Sequence, residues 1–299
     1  MDITVLRIFE AVASEQSISG AAKRLHYVQS NVTARIKQLE TEIGKPLFYR
    51  HNRGISITET GEILRVYAKK IITLFEEAEK ALSESSNPTG LLKIGTIGTI
   101  ASTRLSAVLT FYHEKYPLVN ISLKTGMPQQ MIDAVLKHEL DGAFVPGPLK
   151  HPDILQEKLL EEELVLINGV NPFQNNESKS FKQQPLLVLP AGCRFRSRLV
   201  SLLSEEGFAQ PQIMELGSLD TVIDCVRAGM GISLVPKSVV DNRNDKECFI
   251  IHTVPKKFSK IPILFIWNSK SFLTITMKKF IETALNHFND SNIKKQSTT

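Results

Sequence analysis

The chain has 299 residues, 42% of them hydrophobic and 22% charged, with a formal net charge of +5. That length supports two or three domains with ordinary globular cores. No apolar run approaches the ~18 residues of a membrane span, and Met1-Asp2-Ile3 lacks the basic start of a signal peptide, so a cytoplasmic protein without a membrane partner is expected. Cys193, Cys225 and Cys248 are odd in number and widely spaced, so no disulfide framework or zinc motif is implied and reduced thiols are expected.

Residues 2–14 predict a first helix, with Val5, Leu6, Phe9, Val12 and Ala13 on its core face. A second begins after Ser17, an N-cap oxygen, and buries Ile18, Ala21, Ala22 and Leu25. Its two alanines allow another helix to cross closely. After a joint at His26–Gln29, Val32, Ile36, Leu39 and Ile43 recur at spacings of 4, 3 and 4, and Gly44 supplies the left-handed C-cap. The opposite face of this third helix (residues 28–43) carries Gln29, Ser30, Asn31, Thr33, Arg35 and Lys37. Short polar groups at a helix start, followed by cations, suit the base edges and phosphates of a DNA major groove. Short strands at Pro46–Arg50 and Gly54–Ile57 then enclose a tip flanked by Arg50 and Arg53, a wing whose cations suit backbone phosphates or the minor groove. Between residues 20 and 70 there are ten Lys or Arg against four Glu. That excess exceeds the charge of the whole chain, so a basic head precedes a near-neutral body.

Thr58 opens a long helix to about Ser86, on which Ile63, Tyr67, Ile71, Leu74, Ala78, Ala81 and Leu82 form an apolar stripe. At ~1.5 Å per residue it is on the order of 40 Å long, too long for the preceding domain to cover, and an antiparallel copy of itself is the simplest partner. Ser83–Gly90 (SESSNPTG) reads as a linker. Strands and helices then alternate: strands at 91–97, 120–126, 142–145, 163–168, 186–189, 212–216, 232–235 and 263–267, and helices at 102–115, 128–137, 195–206, 218–228 and 271–288. This predicts a mostly parallel sheet with helices on both faces. The polar tail 289–299 is expected to be disordered.

The opening LRIFEAVASEQSISGAAKRL, the segment QSNVTARIKQLETEIGKPLFYR and the turn ISITETGE together resemble the LysR-type transcriptional regulators. The likeness continues more loosely to about residue 285. It implies an α/β protein with an N-terminal winged helix-turn-helix (1–58), a linker and dimerisation helix (59–89), and a two-lobed, periplasmic-binding-protein-like effector domain (90–299). Lobe I would span about 90–161 and 266–288, and lobe II about 162–265. It further implies a homo-oligomer, a dimer through the linker helix and beyond that a tetramer, that binds operator DNA and responds to a small-molecule effector, with RNA polymerase as a further partner. Its departure from the family is at Thr33-Ala34-Arg35, where many members have Ser-Arg. The arginine is displaced about 100° around the helix, which leaves Arg35 to read either a base or a phosphate.

In open α/β folds, ligands sit beyond the C-terminal ends of strands, at helix N-termini. By position, the resemblance carries effector contacts to Thr99, Ser102, Thr125, Phe144, Cys193 and Ser218. Ser and Thr at such turns serve equally as helix caps. Arg194, Arg196 and Arg198 offer cations to a carboxylate ligand or form a solvated face, and Cys193 near a helix start could act as a redox sensor. Ala228–Pro236 is only a weak nucleotide fingerprint, and no cofactor is implied. The rival reading is a cytoplasmic solute-binding or enzymatic α/β protein with an N-terminal assembly module. Against it stand the lack of a G-x-S-x-G, H-E-x-x-H or P-loop motif, and seven histidines without metal-ligand spacing.

Overall fold

The computed structural model describes residues 1–51, 54–82, 87–170, 184–205, 207 and 212–296. The chain divides into two compact units, Met1–Glu84 and Ser85–Thr299.

In the first unit, α1 (Ile3–Glu15) starts at Asp2, whose carboxylate accepts the Val5 N–H, and α2 (Ile18–Leu25) starts at Ser17, whose hydroxyl accepts the Gly20 N–H. His26, in the left-handed region at φ 57°, ends α2 and turns the chain into α3 (Gln29–Ile43). Gly44, at φ 74°, ends α3, a conformation that costs glycine least. Phe9, Val12, Ala21, Val32, Ile36 and Leu39 are sealed together in one core, so the 4-3-4 spacing does set the buried stripe of α3. The wing strands β1 (Phe48–His51) and β2 (Gly54–Ile57) pair antiparallel. Glu40 on α3 accepts the N–H groups of both Leu47 and Phe48, at 2.8 and 3.2 Å, which fixes the wing to that helix.

Thr58 then caps α4 (Glu59–Leu82), accepting the Gly61 N–H and donating to the Pro46 carbonyl. Within this unit α4 leaves Ile63, Val66, Tyr67, Ile71, Leu74, Phe75 and Leu82 exposed. Val66 and Phe75 thus join the stripe, which is wider than its spacing predicts. The expected linker's first residues, 83–86, lie outside the described residues.

The second unit is built on a sheet whose described strands run β4-β3-β5-β11-β6-β9-β7-β8, with β10 also on β6. Lobe I contributes β3 (Gly90–Thr96), β4 (Val119–Thr125) and β5 (Gly142–Pro146), all parallel. The expected helix from Ser102 starts earlier: a three-residue α5 (Gly98–Ile100), a π-helical turn (Ala101–Leu105) and α6 (Ser106–Lys115) follow one another without a break. Next comes α7 (Pro128–Leu136). Lobe II contributes β7 (Leu186–Val188), α8 (Arg194–Glu205), β8 (Ile213–Glu215), α9 (Leu219–Arg227), β9 (Ile232–Pro236), the short α10 (Lys237–Asp241), β10 (Phe249–His252) and α11 (Lys256–Ser259).

Two strands cross between the lobes. The strand expected at 163–168 is the second half of β6 (Ile154–Gly169), and the one expected at 263–267 extends to β11 (Lys260–Asn268). β11 pairs antiparallel along its whole length with the Ile154–Glu163 part of β6, with a bulge at Ile263/Leu264, and the rest of β6 pairs β9 and β10. One face of the sheet buries Met131, Val135, Val145 and Ile266 in lobe I, and Val165, Ile167, Val222 and Val235 in lobe II. The other face carries a larger core that includes Ile94, Tyr112, Phe144, Phe265 and Phe280. The last helix, α12 (Ile275–Gln296), starts four residues later than predicted and continues through most of the tail expected to be disordered. Thr274 accepts the Met277 N–H and so sets the later start.

Candidate functional site

On α3, Gln29, Ser30, Asn31, Arg35 and Lys37 are exposed, while Val32 and Ile36 on the reverse are sealed. Neither Arg35 nor Lys37 is in an ion pair among the described residues, so their charges are free for phosphates. Thr33 is half-buried and spends its proton on the Gln29 carbonyl at 2.9 Å, which leaves an acceptor to offer. Arg50 is exposed on β1, beside His51, which bonds Ser56 across the wing at 2.9 Å. Arg53 lies outside the described residues.

Reading by charge and polarity missed one position on this face. Val28 is the N-cap of α3, makes no side-chain cap bond, and is 72% exposed. A β-branched apolar residue there forgoes about 1 kcal/mol relative to Ser, Thr or Asp.

In lobe I, Thr99 stands on the first turn of the 98–115 helical rod. The residue is 6% exposed, and its hydroxyl oxygen has no hydrogen-bond partner among the described residues. A buried hydroxyl left so costs about 1–3 kcal/mol. The Thr99 carbonyl accepts from Ser102 at 3.3 Å and Thr103 at 2.7 Å, bonds that accompany the π-turn, a local widening found often at functional sites. Ser102, within the π-turn, and Thr125, at the end of β4, are both exposed. Gly126, after Thr125, donates to the Thr96 carbonyl and so brings the β4 exit beside that of β3. A Cβ on Gly192 of lobe II would lie 3.9 Å from Met127 Cε, so the turn before α8 reaches the β4–α7 turn of lobe I.

Two of the expected effector contacts have other work. Phe144 is fully buried, in edge contact with Phe265, Phe280 and Phe288 at 4.9, 6.0 and 6.3 Å between centroids; it packs the core and presents no surface to a ligand. Ser218 caps α9, accepting the Thr221 N–H and bonding the Thr221 hydroxyl at 2.8 Å. Cys193 is buried, and burial pushes its thiol pKa up despite N–H groups of Phe195 and Arg196 nearby. That shift is the opposite of what a redox-sensing thiolate needs.

Cys193 also lines a cavity of ≈ 10 Å³ with Val188, Arg196, Leu219 and Ser233, room for about one water. The three arginines separate: Arg196 pairs with Glu215, Arg198 donates to the carbonyls of Lys257 and Phe258, and Arg194 is in no ion pair among the described residues. Among those residues no group of three or more His, Cys, Asp or Glu could hold a metal, and no helix is long and apolar enough to cross a membrane.

A winged helix-turn-helix head followed by a two-lobed α/β unit defines a ligand-responsive transcription regulator. Residues 3–62 match the bacterial regulatory helix-turn-helix proteins of the lysR family, and residues 85–289 match the LysR substrate binding domain. The chain therefore belongs to the LysR family of transcriptional regulators. It is 41% identical over 288 residues to the HTH-type transcriptional regulator GltR of Bacillus subtilis, covering 96% of this chain and 97% of that one. To the regulator CzcR of Bacillus cereus it is 42% identical over 287 residues, covering 96% and 98%. Among solved structures, full-length OxyR from Pseudomonas aeruginosa superimposes with a TM-score of 0.72 at 22% identity, covering 96% of this chain and 94% of that one. Full-length CbnR complexed with its target DNA gives 0.69 at 21% identity, covering 96% and 100%. These two likenesses carry the fold.

Proposed function

We propose that α3 enters the major groove of a specific operator through Gln29, Ser30, Asn31, Thr33, Arg35 and Lys37, while Arg50 and Arg53 of the wing hold the backbone. In this reading residues 1–58 are the reading head, 59–89 join two subunits through the exposed stripe of α4, and 90–299 sense an effector between the lobes. Two heads on one oligomer recognise a near-palindrome. The protein works in the cytoplasm, and its chemistry is binding without catalysis.

The effector site lies at the start of the 98–115 rod, near Thr99, Ser102 and Thr125 on one side and the turn before Cys193 on the other. The buried, unpartnered hydroxyl of Thr99 carries this part of the reading: a ligand donor or acceptor would satisfy it. An effector regulates only if it binds one arrangement of the oligomer more tightly than another.

The test is a gel shift of the full-length protein on its own upstream DNA over a salt series. Tight, salt-dependent binding that survives excess random DNA supports the reading. Binding no tighter than to random duplexes, there and in a genome-wide footprint, sinks it.

A further inference from the structure

The recognition helix breaks a local rule at its most informative end. Helix N-caps favour Ser, Thr, Asp or Asn because the side-chain oxygen takes up a free N–H of the first turn. Here α1 uses Asp2, α2 uses Ser17, α4 uses Thr58 and α9 uses Ser218 in that way, while α7 starts on the partly buried Met127, and the short α10 and α11 on prolines, without a side-chain cap. At the start of α3 the residue is Val28, whose carbonyl accepts from Asn31 at 3.0 Å and Val32 at 3.3 Å while its isopropyl group is 72% exposed.

A single exposed apolar side chain is ordinary. This one occupies a position where a hydroxyl would stabilise the helix, among the polar groups Gln29, Ser30 and Asn31. Exposed Lys23 and Arg24 end the preceding helix nearby. The surroundings are therefore basic and hydrogen-bonding, which suits DNA and repels a greasy protein surface. In a major groove the apolar feature on offer is the C5-methyl group of thymine. Local rules are commonly broken where function needs it.

We propose that Val28 is a specificity-determining residue that packs against a thymine methyl group at the edge of each half-site. The inference rests on α3 being the element in the groove. Val28 supplies discrimination without a hydrogen bond, distinguishing thymine from cytosine at a position the polar residues of α3 leave unread.

The test pairs a protein change with the removal of one methyl group from DNA. Duplexes are selected from a random pool by the full-length protein, and each thymine of the enriched site is replaced in turn by deoxyuridine, which lacks only that methyl. The wild-type protein should lose about fourfold in affinity at one symmetry-related pair of positions, the factor for one buried methyl-sized group. Val28→Ser should bind the thymine and uracil duplexes equally there, while its thermal midpoint equals or exceeds that of the wild type because the helix gains a cap. That midpoint shows that a loss of binding is not a loss of folding. If no thymine position distinguishes wild type from Val28→Ser, the proposal is overturned while groove entry by α3 stands. If the full-length protein enriches no sequence at all, the DNA reading fails and the inference with it.

Discussion

Arg104 and Glu162 meet in a two-pronged ion pair, Nε to Oε2 at 3.0 Å and Nη2 to Oε1 at 3.4 Å, with side chains only 18% and 7% exposed. The pair fastens the π-turn of the 98–115 rod to β6, one of the two strands that cross between lobes. Removing one partner strands a largely buried charge, a change that typically costs 3–5 kcal/mol. Glu162→Gln should therefore lower the denaturant midpoint of the effector unit sharply, and a double change of both residues to apolar ones should recover much of the loss. A midpoint within error of the wild type for Glu162→Gln would count against this account.

The orphaned hydroxyl of Thr99 predicts an inversion of the usual rule that core changes destabilise. Thr99→Val keeps the shape and deletes the unsatisfied group, so the unliganded protein should gain about 1 kcal/mol, a rise of roughly 2–4 °C in melting temperature. The same variant should respond less to any compound that shifts operator affinity in the wild type. A lower melting temperature for Thr99→Val would show that its hydroxyl is satisfied in the free protein.

On the proposed DNA face, Arg35 is exposed and in no ion pair among the described residues. If it contacts a phosphate, Arg35→Ala should weaken binding to all sequences similarly and reduce the salt slope by about 1. If it reads a base, the loss should fall on one operator position, with a penalty of about 1–3 kcal/mol. An affinity unchanged at every salt concentration removes Arg35 from the interface.

Tyr112 is fully buried and donates to the Thr276 carbonyl at 2.8 Å. Burial holds its pKa well above the ordinary tyrosine value, with the neighbouring Tyr116 adding to the shift. The sign follows directly: the folded state prefers the neutral phenol, so this stability is intact below an unfolded pKa of about 10 and declines as pH rises beyond it. Tyr112→Phe should cost about 1 kcal/mol at neutral pH. It should also flatten the fall in stability above about pH 10. Equal alkaline slopes for the two proteins would refute the assignment.

Those predictions rest unevenly on what the chain discloses before folding. The stripe of α3 was legible because one face of Val32, Ile36 and Leu39 is sealed against α1 and α2, so period alone sets it. Phe144 was misplaced because a strand in a doubly covered sheet is apolar on both faces. Ala143 and Val145 enter one core and Phe144 the other, and which side chain ends at a cleft depends on partners far away in sequence. The first half of β6 was hidden by Glu157, Lys158, Glu161 and Glu162, which read as solvated until β11 lies alongside. Val28 escaped notice because an apolar side chain beside a helix start reads as core until the fold leaves it exposed.

The two crossing strands also set an order of events on the ribosome. The head is a contiguous unit ending at Glu84, complete when less than a third of the chain exists. Lobe I is different: β5 awaits β11, and its aromatic core awaits Phe280 and Phe288 of α12, residues that emerge last. At translation rates of about 5–20 residues per second, the head precedes its sensor by roughly 10–40 s. A message broken before codon 260 would thus release a reading head with no closed sensor, able to occupy DNA and deaf to the effector.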